Sequence, residues 1–314
     1  MDEDVILLEL PKIVERFSEL PTMSNDPQSL FHQVVSQMHA LCAAVREAEL
    51  QGLGRTMILT YLGPARTLHA QSPFVARLQA WPRGYAGDFQ TIEYLCEAKN
   101  RAETGTVAHS IERYALSSGV AQQHRNKVAW QATRLLQTCR ERGSDCRILS
   151  MACGSSRDIR AIQHELAAMK PTIVLNDLDS GALEYSLATL PLLGGTVQAI
   201  AGDAFHTVRA MKRGGPYDVI IAGGLFDYLE DRHASWLLQH VYEMLKPEGS
   251  LCFTNIAAGN PYRVWMEYLA NWSLIERSDD DIRRLLSNGG FNADRMSLAR
   301  DGTELTYLVE ATRE

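Results

Sequence analysis

Small and acidic residues follow four apolar stretches in the second half of the chain, at positions where they could bind a ligand. Gly154 follows the first stretch, Asp177 the second, Asp203 the third and Asp227 the fourth. If these stretches are parallel strands, their carboxyl ends share the sheet edge where open α/β sheets bind ligands. An acid after the second strand is placed to accept hydrogen bonds from a ribose, and one after the third can accept from an adenine amino group. The spacing therefore predicts a site for an adenosine-containing ligand at this edge.

The candidate cofactor-binding residues lie in the turns after these strands. They are Ala152, Gly154, Arg157, Asp158, Asp177, Leu178, Asp203, Ala204, Phe205 and Gly223. A glycine-bearing turn lets the backbone approach a ligand and directs helix N–H groups toward an anion. Only Gly154 remains of a glycine-rich fingerprint, so a plain tight turn between strand and helix stays an alternative. We expect the ring of Phe205 to pack on the adenine.

The elements that must position these residues change character near residue 145. Before it the apolar spacing predicts helices near residues 5–20, 30–48, 91–99 and 111–142. After it strand patterns at 147–151, 172–176, 197–201, 218–222 and 250–255 alternate with helical patterns at 158–169, 180–187, 206–213 and 235–245. This alternation predicts a doubly wound, mostly parallel α/β sheet, and Asp301-Gly302 in the tail predicts a closing antiparallel hairpin. We expect a helical cap or lid region at 1–144 and a ligand-binding core at 145–314.

An irregular segment at residues 81–90 interrupts the helical half. It contains two glycines, a proline and aromatic residues, which a helix interior does not accommodate without cost. The segment predicts a structured loop or lid in which Tyr85, Arg83 and Asp88 are candidates for contact with a substrate. A purely structural Arg83–Asp88 pair that fixes the loop is the favoured alternative.

Composition and charge exclude several classes of protein. The 314 residues are 46% hydrophobic and 22% charged, which fits a globular chain and argues against disorder or a fibrous rod. No apolar run reaches membrane-spanning length, and the acidic start MDEDVILLEL does not resemble a secretory signal, so we expect a cytoplasmic protein. The net charge of −7 and the scattered basic residues argue against nucleic acid as the partner. The histidines and cysteines show no ligand spacing, so we expect no metal.

Several strings of residues resemble class I S-adenosylmethionine-dependent methyltransferases. Over residues 145–314 these are A-C-G-S-S-R-D, N-D-L-D-S, A-G-D-A-F, Y-D-V-I-I-A-G-G-L-F-D-Y-L and L-K-P-E-G-S-L. More specifically, P-R-G-Y-A-G-D-F (82–89), G-L-F-D-Y-L (224–229) and N-P-Y-R-V-W-M-E-Y (260–268) resemble a bacterial subgroup. That subgroup includes enzymes associated with making 3-hydroxy fatty acid methyl ester signals. The sequence departs from the family at Ala152, Ser155 and Ser156, where the fold often has glycines.

The resemblance implies methyl transfer from S-adenosylmethionine, with S-adenosylhomocysteine as product, to a small-molecule acceptor such as an acyl carboxylate or a hydroxyl. The candidate catalytic residues are Asp227, Tyr228, Tyr85 and Arg263, with Tyr262 and Glu267 on the presumed rim. We expect neither a membrane nor a nucleic acid as partner, and a homodimer is left open. A nicotinamide enzyme fits less well, because the turn lacks a full G-x-G-x-x-G. A non-methylating protein of the same fold, regulatory or of the cyclase type, remains an alternative.

Overall fold

The computed structural model describes residues 9–314, which form two compact units. The helical unit comprises residues 9–122 together with 261–273, and the sheet unit comprises 123–260 and 274–314. The boundary between the two units lies inside a long helix, and the later segment 261–273 belongs to the first unit. The units therefore do not coincide with the division expected at 144/145. The part of the first predicted helix that precedes residue 9 lies outside the described residues.

The helical unit is built from short helices that bury apolar residues at helical spacing. Its helices are α1 (Glu9–Ser18), α2 (Pro27–Leu50), α3 (Arg55–Tyr61), α4 (Gly63–His69), α5 (Pro73–Ala80), α6 (Phe89–Glu97), α7 (Val107–Ser117) and the beginning of α8 (Gly119–Arg142). Helix α2 starts where Asp26 accepts a hydrogen bond from the Ser29 N–H and Pro27 occupies the first turn.

The prediction of a single helix over residues 111–142 is wrong, because the helix is interrupted at Ser118. Its backbone is extended (φ −64°, ψ 155°), and its hydroxyl accepts a hydrogen bond from the Ala121 N–H at 3.2 Å. This local bond competes with the helical one and starts a new helix. Gly119 therefore begins α8 instead of lying inside a longer helix.

The sheet unit contains a seven-stranded sheet within the described residues. Its strands are β1 (Arg147–Met151), β2 (Thr172–Asp177), β3 (Val197–Ala201), β4 (Tyr217–Ala222), β5 (Leu245–Ile256), β6 (Met296–Arg300) and β7 (Thr306–Thr312). The order is β3-β2-β1-β4-β5-β7-β6, and β7 pairs antiparallel with β5 and β6 while the other pairs are parallel. This confirms the predicted doubly wound sheet with an antiparallel end.

Helices cover both faces of this sheet. They are α9 (Arg157–Ala161), α10 (Gln163–Met169), α11 (Ser180–Thr189), α12 (Ala204–Gly214), α13 (Asp231–Met244) and α14 (Asp279–Asn288). Strand β4 is buried throughout, with Ile220 in one apolar cluster and Val219 and Ile221 in another, as side chains that alternate between two covered faces require. The strand order reverses between β1 and β4, so the turns after these two strands flank the switch point where such sheets bind ligands.

Candidate functional site

The turn between β1 and α9 has an unusual backbone. Ala152, Gly154 and Ser156 all adopt positive φ angles (47°, 53° and 47°). Such angles are costly for residues other than glycine and persist where the surroundings fix them. The predicted strand–helix turn is therefore present, but alanine and serine occupy left-handed positions that glycines occupy more easily.

The carboxylate of Asp177 fixes this turn against the end of β2. Its Oδ2 accepts a hydrogen bond from the Gly154 N–H at 2.7 Å, and its Oδ1 accepts from the Asp179 N–H at 2.9 Å. The Cys153 N–H adds a bond to the carbonyl of Asn176 at 3.0 Å. Two residues predicted from spacing, Gly154 and Asp177, thus lie in direct contact at the predicted sheet edge. Contact of Asp177 with a ribose stays a prediction.

Asp158 lies in the first turn of α9 and is buried. Desolvation raises the pKa of its carboxyl group to about 6, against the opposing effect of backbone hydrogen bonds that include one from the Ile159 N–H at 2.9 Å. The preceding residue, Arg157, is half-buried. A perturbed carboxyl beside a ligand-binding turn is typical of functional sites, although structural groups show it too.

The turn after β3 presents aromatic and apolar side chains at the same edge. Asp203 caps α12 by accepting from the Phe205 N–H at 2.7 Å, and Ala204 between them is buried. The Phe205 ring stacks on Trp236 with centroids 5.4 Å apart, a partner that the sequence did not reveal because it lies on α13. Leu178, directly after β2, is 63% exposed although it is apolar.

Gly223, directly after β4, lies against a side chain of α8. A Cβ at this position would overlap the amide group of Gln131 on α8. The Gly223 carbonyl accepts a hydrogen bond from the Thr254 hydroxyl at 2.7 Å. The candidate residue Gly223 is therefore packed between α8 and β5.

Asp227 is buried in the turn after β4, and both of its carboxylate oxygens accept bonds. Oδ1 accepts from the Ile256 N–H at 2.6 Å, and Oδ2 accepts from Nζ of Lys127 at 3.1 Å. The Asp227 carbonyl also accepts from the Ile275 N–H at 2.8 Å. Tyr228, the next residue, is 43% exposed. These bonds show that Asp227 holds the turn after β4 in place. Contact of Asp227 or Tyr228 with an acceptor stays a prediction.

Arg277 holds the same turn and was missed by the sequence analysis. It is among the largest fully buried side chains, and its guanidinium donates to the carbonyls of Phe226 and Leu229. It also donates to Oδ1 of Asn255 at 2.6 Å and pairs with Asp231 at 3.0 Å. The arginine lies 22 to 51 residues from these partners, so no local spacing reveals it.

Arg263 belongs to the helical unit, where its guanidinium pairs with two glutamates of that unit. NH1 lies 3.1 Å from Oε1 of Glu49 and 3.0 Å from Oε2 of Glu267, and NH2 contacts the other oxygen of Glu49. The guanidinium holds the pKa of Glu49 below its ordinary value, and the Tyr268 hydroxyl donates to the same carboxylate at 2.7 Å. Arg263, a candidate catalytic residue, thus already binds a carboxylate of the chain.

The loop at 81–90 is structured, but its expected ion pair is wrong. Asp88 caps α6 and pairs with Arg77 on α5 at 2.6 Å, because the cap position points the carboxylate toward that helix. The Arg83 guanidinium instead lies over the Phe89 ring, 4.9 Å from its centroid. Tyr85 is half-buried in this loop, and its role in substrate contact stays a prediction.

Residues 9–314 contain neither a candidate membrane-spanning helix nor a metal-binding cluster. No helix in this range is both long and apolar enough to cross a membrane. No group of three or more histidine, cysteine, aspartate or glutamate side chains in the same range is arranged to hold a metal ion.

Tyr262, a predicted rim residue, accepts a hydrogen bond from the Gly119 N–H at 3.2 Å within the helical unit.

Comparison with known proteins gives one family and several similar folds. Residues 148–249 match the methyltransferase domain family. A Bordetella parapertussis protein, described as a candidate exported protein, is 17% identical with a TM-score of 0.61, covering 100% of this chain and 99% of its own. A candidate O-methyltransferase from Nostoc punctiforme PCC 73102 is 15% identical with a TM-score of 0.50, covering 98% of this chain and 95% of its own. No curated protein sequence matches the chain.

The segment 148–249 is therefore similar to the methyltransferase domain family, and it lies in a seven-stranded sheet with the fold expected of a class I methyltransferase. This confirms the predicted fold class and the predicted cofactor, S-adenosylmethionine, which such domains use. The narrower resemblance to enzymes of 3-hydroxy fatty acid methyl ester synthesis is a proposal. The cytoplasmic location and the homodimer stay predictions.

Proposed function

We propose that this protein transfers a methyl group from S-adenosylmethionine to a carboxylate oxygen of a small acyl acceptor. The methyltransferase domain at 148–249 carries the proposal of methyl transfer. The acyl acceptor is supported by the strings at 82–89, 224–229 and 260–268, which resemble enzymes associated with 3-hydroxy fatty acid methyl esters.

The bonds of Asp227 favour a carboxylate over a hydroxyl as the acceptor group. A hydroxyl acceptor needs a base to take its proton. Asp227, in the turn after β4, is the acid among the candidate catalytic residues. Its carboxylate oxygens, however, already accept hydrogen bonds from the Ile256 N–H and from the charged Lys127. A carboxylate acceptor needs no base and requires only orientation and removal of water.

The residues at the ends of β2 and β3 fit an adenosine. Leu178 offers an exposed apolar surface beside the buried carboxylate of Asp177, and Asp203 and Phe205 follow on the next strand. We assign Asp177 to the ribose hydroxyls and Asp203 to the adenine amino group. Leu178 and Phe205 then pack on the adenine ring.

When bound, S-adenosylmethionine supplies an electrophilic methyl group on a sulfonium. The acceptor oxygen attacks the methyl carbon in line while the carbon–sulfur bond breaks, so that a neutral ester and a thioether form and no proton moves. The task of the chain is to hold the two reactants in line and exclude water, which contributes a large share of such rate enhancements. Tyr228, exposed on the turn after β4, is our candidate for contact with the acceptor.

The test combines binding and turnover. Calorimetry with S-adenosylhomocysteine measures cofactor binding, and mass spectrometry after incubation with methyl-labelled S-adenosylmethionine and either decanoic or 3-hydroxydecanoic acid identifies the product. We expect labelled methyl esters. A 3-methoxy product would move the reaction to the hydroxyl, and binding without transfer to either acid would favour a non-methylating protein. Failure to bind S-adenosylhomocysteine would refute the proposed function.

The assignment of Asp177 has its own test. Asp177→Ala removes a charge-assisted contact with the ribose, so we expect about tenfold to hundredfold weaker binding of S-adenosylhomocysteine. Asp179→Ala, which changes the next acid along the chain and a helix cap, is the matched control. Equal affinities of the two variants would refute the assignment of Asp177 to the ribose.

A further inference from the structure

Helix α8 carries a buried polar stripe along one side. Gln123, Lys127 and Gln131 recur every four residues, so they lie on three successive turns about 6 Å apart. Their exposed fractions are only 0%, 3% and 6%. Lys127 pairs with Asp227, and the Gln131 amide lies against Gly223, so the stripe borders the turn after β4.

The two glutamines of this stripe lack the bonds that buried amides require. Nε2 and Oε1 of Gln123 and Nε2 of Gln131 have no hydrogen-bond partner among residues 9–314. Buried side-chain polar groups are paired in the large majority of cases, and an unpaired one costs about 1–3 kcal/mol. An apolar side chain at either position would avoid this cost. The amides are therefore better explained by a partner that arrives with a ligand.

The neighbouring glycine supports the same interpretation independently. A Cβ at Gly223 would overlap the Gln131 amide, so this amide lies directly against the Gly223 backbone. Gly223 directly follows β4 and flanks the switch point of the sheet. The unpaired Nε2 of Gln131 is thus placed at the edge where ligands of this fold bind.

We infer that Gln131 and Gln123 bind polar groups of a ligand that carries both a carboxylate oxygen and an N–H or O–H donor. Gln131 offers a donor to the oxygen, and Gln123 offers both a donor and an acceptor. The inference rests on the proposed function, which supplies two sources of this chemistry. One is the α-amino carboxylate end of S-adenosylmethionine, and the other is the hydroxyl and carboxylate end of a 3-hydroxy acid.

The experiment compares ligands that differ only in that end. Calorimetry measures the Kd of S-adenosylhomocysteine and of 5′-methylthioadenosine, which lacks the amino carboxylate, for the wild type, Gln131→Leu and Gln123→Leu. It then measures the Kd of 3-hydroxydecanoate for each protein saturated with S-adenosylhomocysteine. Gln137→Leu is the matched control, because Gln137 is an exposed glutamine of the same helix.

Two results support the inference and identify the source. If Gln131→Leu weakens the binding of S-adenosylhomocysteine about tenfold or more while the Kd of 5′-methylthioadenosine is unchanged, the stripe binds the amino carboxylate end of the cofactor. If both nucleosides bind normally and the binding of 3-hydroxydecanoate weakens by a similar factor, the stripe binds the acceptor. The Tm of the ligand-free variant should not fall, since the leucine replaces an unpaired amide. Should Gln131→Leu not fold, Gln131→Met replaces it with a closer shape.

The inference is overturned if Gln131→Leu and Gln123→Leu bind all three ligands as Gln137→Leu does, or if both nucleosides weaken equally. If 3-hydroxydecanoate does not bind the wild type, the ratio of the two nucleoside affinities decides alone, and an unchanged ratio overturns the inference. A wild type that does not bind S-adenosylhomocysteine refutes the proposed function instead.

Discussion

The buried ion pair between Lys127 and Asp227 is expected to be one of the most sensitive points of the sheet unit. The side chains are only 4% and 3% exposed and lie 3.1 Å apart. Asp227→Asn removes the negative charge but keeps an oxygen that can accept from the Ile256 N–H. The substitution therefore isolates the charge of the pair, and it leaves the Lys127 ammonium buried without a counter-charge.

The magnitude follows from the burial and the distance. At an effective dielectric constant of about 20, unit charges 3.1 Å apart attract by about 5 kcal/mol. Removal of one partner of a buried pair typically costs about 3–5 kcal/mol, because the other charge stays buried. We expect a loss of this size in the free energy of unfolding. Urea denaturation followed by circular dichroism measures it.

Two further variants make the test specific. Lys127→Met combined with Asp227→Asn removes both charges, and we expect it to recover most of the loss. Lys212→Met is the matched control: it breaks the exposed Lys212–Glu243 pair of the same unit and should cost less than about 1 kcal/mol. A loss below about 1 kcal/mol for Asp227→Asn, or no recovery in the double variant, would refute the reasoning.

Three other substitutions test separate features. The folded state holds a proton on Asp158 up to about pH 6, whereas an unfolded aspartate releases it near pH 4. Relative to Asp158→Asn, which shares every other titrating group, the wild type should therefore lose roughly 2–3 kcal/mol of stability between pH 4 and 7, as urea denaturation of both proteins across pH would show. Arg277→Lys cannot reproduce the planar fork and should lower the free energy of unfolding by about 2–4 kcal/mol; near wild-type stability would argue against its holding the turn. Arg263→Lys should cost about 1 kcal/mol or less by the same measurement, because its side chain is 35% exposed. A larger loss would show that Arg263 supports the helical unit more strongly than its exposure indicates.

The sheet could be predicted from the sequence because its signal is local. Buried parallel strands are near-continuous apolar runs, and the predicted range 147–151 matches the buried strand β1 residue for residue. The range 197–201 likewise matches β3, which lies at the edge of the sheet and is not buried. The closing hairpin follows from Asp301-Gly302 in the same way. The acids at the strand ends were found because parallel topology brings strand ends together, whatever the details of packing.

The supports of the site could not be predicted, because each depends on a partner distant in sequence. Asp88 was expected to pair with Arg83 five residues away, yet its partner Arg77 lies on the preceding helix. Arg277 and Lys127 reach the turn after β4 from about 50 and 100 residues away. A lysine between two glutamines at intervals of four, in a helix with apolar neighbours, was the one local sign of the polar stripe.

The turn after β4 is held by charged or backbone groups from three separate parts of the sheet unit. Lys127 reaches Asp227 from α8, the Ile256 N–H reaches it from β5, and Arg277 holds the flanking carbonyls from the segment before α14. A loop that is bonded this fully keeps one conformation before any ligand arrives. In-line methyl transfer depends on that, since small misplacements of the reactants lower the rate steeply. Asp227 therefore serves the proposed reaction best by fixing the positions of Tyr228 and Gly223. Its buried carboxylate does so because Lys127 on α8 and the Ile256 N–H on β5 both bind it.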